Sequence, residues 1–269
     1  MQPNTPHYVV TPRAAICHGG HFYAMSTIRD TVYGVFHMFA LSKSITNTEH
    51  SHASCLLLRR LVVYTHHLLV RGQFDHDSSP TIDPHIPNIT TVEGSLDLFL
   101  LCIIAELGEL LDPIAYRKQY RDDRELEHER LCTMHTRGLA RELLEWWRGW
   151  FSFAKSNGDH HIDGKIVYQQ LFAHQVKVLT RYKTMAEQKN MKAEEPACTG
   201  AAFESLVEKY FPHWHSSPIP DGASLDNFDW PAKGYTIVRQ IQKKKISEPS
   251  RSESVIPFAC TCLCTDVLK

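Results

Sequence analysis

Leu96-Asp97-Leu98-Phe99-Leu100-Leu101-Cys102-Ile103-Ile104-Ala105, closed by Glu106, is the most apolar run in the chain. Its reading decides the fold. A membrane-crossing helix needs ~20 consecutive apolar residues. This run is shorter, and Asp97 interrupts it. It is therefore expected to be the centre of a buried helix, spanning Glu93 to Leu111 and ending before Pro113, because the residue ahead of a proline is disfavoured in helical conformation.

Helical periodicity extends outward in both directions. From Thr27, apolar residues recur at three- and four-residue spacing through Ile28, Val32, Val35, Phe36 and Phe39. Asp30 near that start suits the positive end of the helix dipole. The stretch from about Ser51 to Val70 places Leu57, Leu61, Tyr64 and Leu68 on one face. Arg59, Arg60, His66 and His67 fall on the other, which predicts an amphipathic helix with a basic outer face. Residues 72–92 are broken by Gly72, Pro80, Pro84 and Pro87 and are expected to be a loop.

Arg117 to Arg130 alternates in charge, as a solvated helix does. Leu139, Leu143, Leu144, Trp147 and Phe151 continue as a buried helical stripe. Within it, Trp146, Trp147, Trp150, Phe151 and Phe153 form an aromatic block. Such a block either packs between helices or offers a patch to another protein. Asp163 to about Gln188 is a further helix, with Val167, Leu171, Val178, Tyr182 and Met185 on its apolar face, and Ala201 to Tyr210 is a short one. Beyond Phe211, prolines, the Lys243-Lys244-Lys245 run and a serine-rich stretch predict a loosely ordered tail.

The remaining stretch, Pro6-His7-Tyr8-Val9-Val10-Thr11-Pro12, is rich in strand formers and is followed by Gly19-Gly20-His21-Phe22. It resembles the last core strands of a JmjC-type Fe(II)/2-oxoglutarate dioxygenase. In that family a proline-rich lead-in delivers the final iron-binding histidine, and a Gly-Gly-x-Phe turn follows. Asn47-Thr48-Glu49-His50 and Leu56-Leu57-Leu58-Arg59-Arg60 are similar to the helical continuation of fungal JmjC-domain proteins. The resemblance assigns His7 as a metal ligand. It implies lysine-demethylase-like chemistry with Fe(II) and 2-oxoglutarate as cofactors of the full-length family. Non-haem iron of this class is held by two histidines and one carboxylate. No His-x-Asp or His-x-Glu precedes His7. The resemblance thus implies the C-terminal part of such an enzyme, with the first two ligands upstream, no catalytic residue here and no cofactor held by this chain alone.

The resulting expectation is a mainly α protein. Residues 1–25 are a short β-remnant of the cupin-like double-stranded barrel, 26–211 a helical domain and 212–269 the tail. A barrel remnant would present an unpaired strand edge around Tyr8–Val10. The competing expectation is a helical protein-interaction module without enzymatic activity, built on the Arg59/Arg60 face and the aromatic block.

Other chemistries find less in the residues. The single later His-x-Asp, His161-Ile162-Asp163, stands at a helix start, where Asp163 is expected to be an N-cap. Cys17-His18-x-x-His21 and Cys260-x-Cys262-x-Cys264 hold thiophilic ligands, but neither has the second pair that structural zinc requires. The other histidine pairs, such as His66-His67 and His160-His161, are read as solvated. There is no His-Glu-x-x-His, no Gly-x-Ser-x-Gly and no phosphate-binding loop.

Net charge is −1, so no global field favours nucleic acid. Lys243, Lys244 and Lys245 form a basic cluster suited to a nucleic-acid contact or a nuclear-import signal, in keeping with chromatin or protein partners. The first residues lack the cationic start and apolar core of a signal peptide. Four cysteines (17, 55, 102 and 132) sit inside apolar patterns. Together these predict a reducing compartment, nuclear or cytoplasmic, with no membrane span.

Overall fold

The computed structural model describes residues 10, 12–13, 24, 27–41, 52–72, 85–108, 110–111, 123–155, 161–188, 199–212, 214 and 234–240, with the backbone alone for 41, 52–56 and 123–130. Within these residues the chain is mainly helical. The helices are α1 (Ile28–Leu41), α2 (His52–His66), α3 (Val92–Leu107), α4 (Asp123–Trp150), α5 (Gly164–Gln188) and α6 (Gly200–Tyr210). A π-helical turn, His67–Arg71, extends α2. The strands are β1 (Phe151–Lys155), β2 (His161–Ile162) and β3 (Tyr235–Arg239).

α3 is the buried helix expected from the apolar run. Its start is set locally: Thr91 caps it, accepting a hydrogen bond from the Gly94 amide at 3.1 Å. Asn88 Oδ1 accepts from the Thr90 hydroxyl at 2.7 Å, tightening the turn before the cap. Glu93 supplies the favourable charge in the first turn. A Cβ at Gly94 would strike the Asn88 backbone, so only glycine lets this turn fold back on the helix. Leu98, Phe99, Leu101, Ile103 and Leu107 are fully buried. A helix apolar on every side must be surrounded, and α1, α2, α4 and α5 all pack against α3. Each fully buried side chain of this kind contributes ~1.5–3 kcal/mol. The helix stops four residues earlier than expected, at Leu107, and the Leu110 and Leu111 amides fold back onto the Leu107 carbonyl at 2.7 and 3.0 Å.

In α2 the core face differs from the one the sequence suggested. Leu58, Val62, Thr65, His66 and Leu69 are buried, while Leu57 and Tyr64 are 37% and 40% exposed. The helix carries two adjacent apolar stripes, and α3 and α4 receive the one led by Leu58. His66, expected in solvent, is turned inward. Val62→Ala removes two buried methyl groups and is expected to cost about 1.5 kcal/mol. Leu57→Ala should stay within about 0.5 kcal/mol. Urea denaturation of the two variants checks this, and equal losses would mean the stripes are misassigned.

The second difference is the sheet. The stripe expected to run helically through Phe151 ends as helix at Trp150, and Phe151 opens β1. Residues 151–155, Phe-Ser-Phe-Ala-Lys, alternate aromatic and small side chains, which suits a strand. β1 is the middle of a three-stranded antiparallel sheet of order β2-β1-β3. Phe153 faces Ile162 on one side and Ile237 on the other. β3 lies within the segment expected to be loosely ordered, and Gly234, at φ +81°, a backbone conformation that favours glycine, immediately precedes it. Pairing with β1 gives Tyr235–Arg239 a partner that local periodicity does not reveal.

The N-terminal strands of the expected barrel remnant lie outside the described residues, apart from Val10, Pro12, Arg13 and Ala24. No helix among the described residues is long and apolar enough to cross a membrane.

Candidate functional site

The chemically richest group of side chains lies where α3, α4 and α5 meet. Glu106, at the end of the apolar run, is nearly buried. Arg141, two-thirds exposed, grips it with both arms: Nε donates to Oε1 at 2.7 Å and Nη2 to Oε2 at 3.2 Å. Arg137, one helical turn earlier on α4, donates from Nε to the Glu106 carbonyl at 3.0 Å. Arg137 also lies over the Tyr210 and Phe211 rings, which ties α6 to the same place. The Glu106 bond raises the Arg141 guanidinium's affinity for its proton.

Cys102 sits one turn before Glu106 and is buried. Burial, reinforced by the Glu106 charge, pushes its thiol far above the usual range. A thiol held neutral is a poor nucleophile and a poor metal ligand, so Cys102 acts as the small hydrophobe its pattern suggested. The Tyr168 hydroxyl is likewise pushed up, first by burial and then by Glu106 and Cys102. This group can hold a carboxylate firmly. It does not pair a nucleophile with a base.

A second polar link joins α2 to α4. His66 Nε2 lies 2.7 Å from Glu142 Oε2, with the imidazole 3% and the carboxylate 60% exposed. A third joins α1 to α3. Arg29 Nε donates to Asp97 Oδ1 at 3.0 Å, and its Nη2 donates to the Glu93 carbonyl at 3.1 Å. Burial pushes the Asp97 carboxyl up, and Arg29 pulls it partly back. An acid raised in the folded state favours folding most below its unfolded pKa, and that advantage is lost as pH rises through the folded value. Removing Arg29 raises Asp97 further. Arg29→Met is therefore expected to cost about 1 kcal/mol at pH 7 and less in acidic buffer, where burial favours the protonated Asp97 carboxyl. Thermal melts at the two pH values check the sign, and a larger loss at the lower pH would contradict it.

The His161-Ile162-Asp163 triplet holds no metal set. His161 and Ile162 form β2. Asp163 accepts the Lys165 amide at 2.8 Å, capping α5 as expected. Arg148 donates to both Asp163 oxygens, at 2.8 and 2.9 Å, and these bonds are the main cause that lowers the Asp163 carboxyl. Ser152 Oγ lies 3.3 Å from His161 Nδ1. Among the described residues no third group orients the ring, so the contact falls short of a nucleophile–base–orienter chain.

The aromatic block packs inside the fold. Trp147 and Phe153 are fully buried and Phe151 nearly so, with Trp146 and Trp150 half-covered at the margin. Arg239 of β3 lies over the Trp150 ring at 5.7 Å.

His7 lies outside the described residues, as do Cys17, His18, His21, Lys243, Lys244, Lys245, Cys260, Cys262 and Cys264. Among the described residues, no three His, Cys, Asp or Glu side chains come together as a metal ion would require. They therefore supply no iron-binding triad. Glu106–Arg141 and His66–Glu142 had no signal in the sequence, because each pairs residues far apart in the chain. Comparison with known proteins found no matching family model, no matching curated protein and no matching solved structure.

Proposed function

We propose that this chain is the helical C-terminal part of a JmjC-type Fe(II)/2-oxoglutarate dioxygenase, lysine-demethylase-like, with His7 as the final iron ligand. The observation that carries this reading is the run Pro6-His7-Tyr8-Val9-x-Thr11-Pro12 with Gly19-Gly20-x-Phe22, leading directly into a helical body. The helical body's part is structural, and the rest of the iron site belongs to residues upstream of His7. Sequencing the transcript across the Met1 codon tests this. An in-frame extension encoding His-x-Asp or His-x-Glu about a barrel's length before His7 is the expected result. An in-frame stop codon immediately upstream would overturn it.

A second reading, a helical protein-interaction module, is favoured by one specific observation. α2 leaves one apolar stripe partly exposed, at Leu57 and Tyr64, while burying another. Chromatin as the partner, with Lys243, Lys244 and Lys245 touching nucleic acid, extends this reading. Either reading keeps the expected compartment as nuclear or cytoplasmic.

A further inference from the structure

The outward face of α2 combines two properties. Leu57, Leu61, Tyr64 and Leu68 follow one another four, three and four residues apart, the spacing of a coiled-coil seam. Leu57 and Tyr64 are 37% and 40% exposed, and Leu61 and Leu68 are half-buried. Alanine-like or polar residues would serve a merely solvated face better.

The second property is charge. Residues 52–71 contain three arginines, three histidines and no aspartate or glutamate. Successive residues of a helix are about 100° apart, so Arg60, His67 and Arg71 border the stripe on its solvent side. His67 and Arg71 are exposed. Arg60 Nε is itself buried and has no hydrogen-bond partner among the described residues. No carboxylate among the described residues neutralises this edge by an ion pair, whereas Arg29, Arg141 and Arg148 each have one. A second copy of the same helix would set arginine against arginine.

We infer that the outer face of α2 is a docking surface for an acidic amphipathic helix. The partner's apolar side chains seat on Leu57, Leu61, Tyr64 and Leu68, and its carboxylates meet Arg60, His67 and Arg71. This mode reads anchors at helical spacing across a groove or seam. Charge sets which helices are accepted and how fast they arrive. The inference rests on the interaction-module reading for its premise that this face receives a partner. It is independent of the assignment of His7.

The test uses the whole chain and three synthetic helices of about three heptads, each with leucine at the seam positions. The flanking positions carry glutamate in one, glutamine in the second and lysine in the third. Binding is followed by fluorescence anisotropy at low and high salt. The glutamate helix should bind roughly tenfold or more tightly than the lysine helix, and salt should erode the difference. Leu57→Glu should abolish binding, and Arg71→Glu should reverse the charge preference. Both positions are exposed, and an unchanged circular-dichroism melt certifies the fold of each variant.

Equal binding of all three helices would overturn the acidic assignment while leaving the face an interaction surface. No binding, with a concentration-dependent dimer in sedimentation that Leu57→Glu abolishes, would make a second copy the occupant and overturn the inference. No binding by a folded monomer would remove both the inference and the interaction reading.

Discussion

Trp147→Ala is expected to lower the stability of the chain by about 3–5 kcal/mol, the range for deleting a buried aromatic. Trp147 is fully buried at the junction of α4, the sheet and the start of α5. Its ring meets Phe99 edge-on at 5.1 Å and 78°. It meets Phe153 at 5.1 Å and Phe151 at 5.8 Å. Its Nε1 donates to Ser95 Oγ at 3.1 Å, and Ser95 donates on to the Ile89 carbonyl at 2.9 Å. The indole thus joins α3, β1 and the turn before α3 in one contact set. Gly164, the first residue of α5, lies against the same ring, and a Cβ there would collide with it. Gly164→Ala should therefore destabilise by overpacking, by about 1–3 kcal/mol. Trp147→Phe keeps most of the packing and loses the hydrogen bond, so its loss should be smaller than that of the alanine variant. Since a domain's total stability is about 5–15 kcal/mol, Trp147→Ala should shift the urea midpoint far enough to see by circular dichroism alone. A loss below about 1 kcal/mol would mean that the aromatic block is not at the centre of the fold.

Arg141→Met should produce the second-largest loss, about 2–3 kcal/mol. The Glu106 carboxylate is 6% exposed, and Arg141 is its two-pronged partner. Removing one member of a buried pair leaves an uncompensated charge, which costs about 3–5 kcal/mol when both members are dry. Arg141 itself is 65% exposed, so water softens that penalty. Glu106→Leu in the Arg141→Met background should restore much of the loss, because an apolar side chain suits the space beside Cys102 better than a stranded carboxylate. The double-mutant cycle separates these cases. Additive losses would show that the two groups do not interact.

Much of the helical body is legible in the sequence because its signals are local. α3 announces itself by a run of apolar residues that no solvent-facing helix could carry. α5 is marked by Asp163, whose side chain caps it, and Cys102 behaves as its apolar neighbours suggest. What the sequence hides is set by tertiary pairing. Leu57/Leu61/Tyr64/Leu68 and Leu58/Val62/Leu69 are both plausible core stripes of α2, and only the positions of α3 and α4 choose between them. His66 follows that choice: once Val62 and Leu69 face inward, the imidazole between them must as well, and Glu142 meets it there. β1 is spaced like the end of α4 until Tyr235–Arg239, some eighty residues further on, pairs with it. The Glu106–Arg141 pair has the same character, since neither residue carries a sign of the other. His7 and the lysine run lie outside the described residues, so their assignment rests on the sequence pattern.

The most direct measurement is an anaerobic titration of the purified chain with Fe(II) in the presence of 2-oxoglutarate, followed by oxygen admission and assay of carbon dioxide release. On the proposed dioxygenase reading His7 is one ligand, and a facial triad needs two more protein ligands. The expected result is no stoichiometric iron binding and no decarboxylation above free iron, with His7→Ala indistinguishable from the parent chain. Binding of one iron per chain with turnover of 2-oxoglutarate, lost on His7→Ala, would contradict the claim that the remaining ligands lie outside this chain.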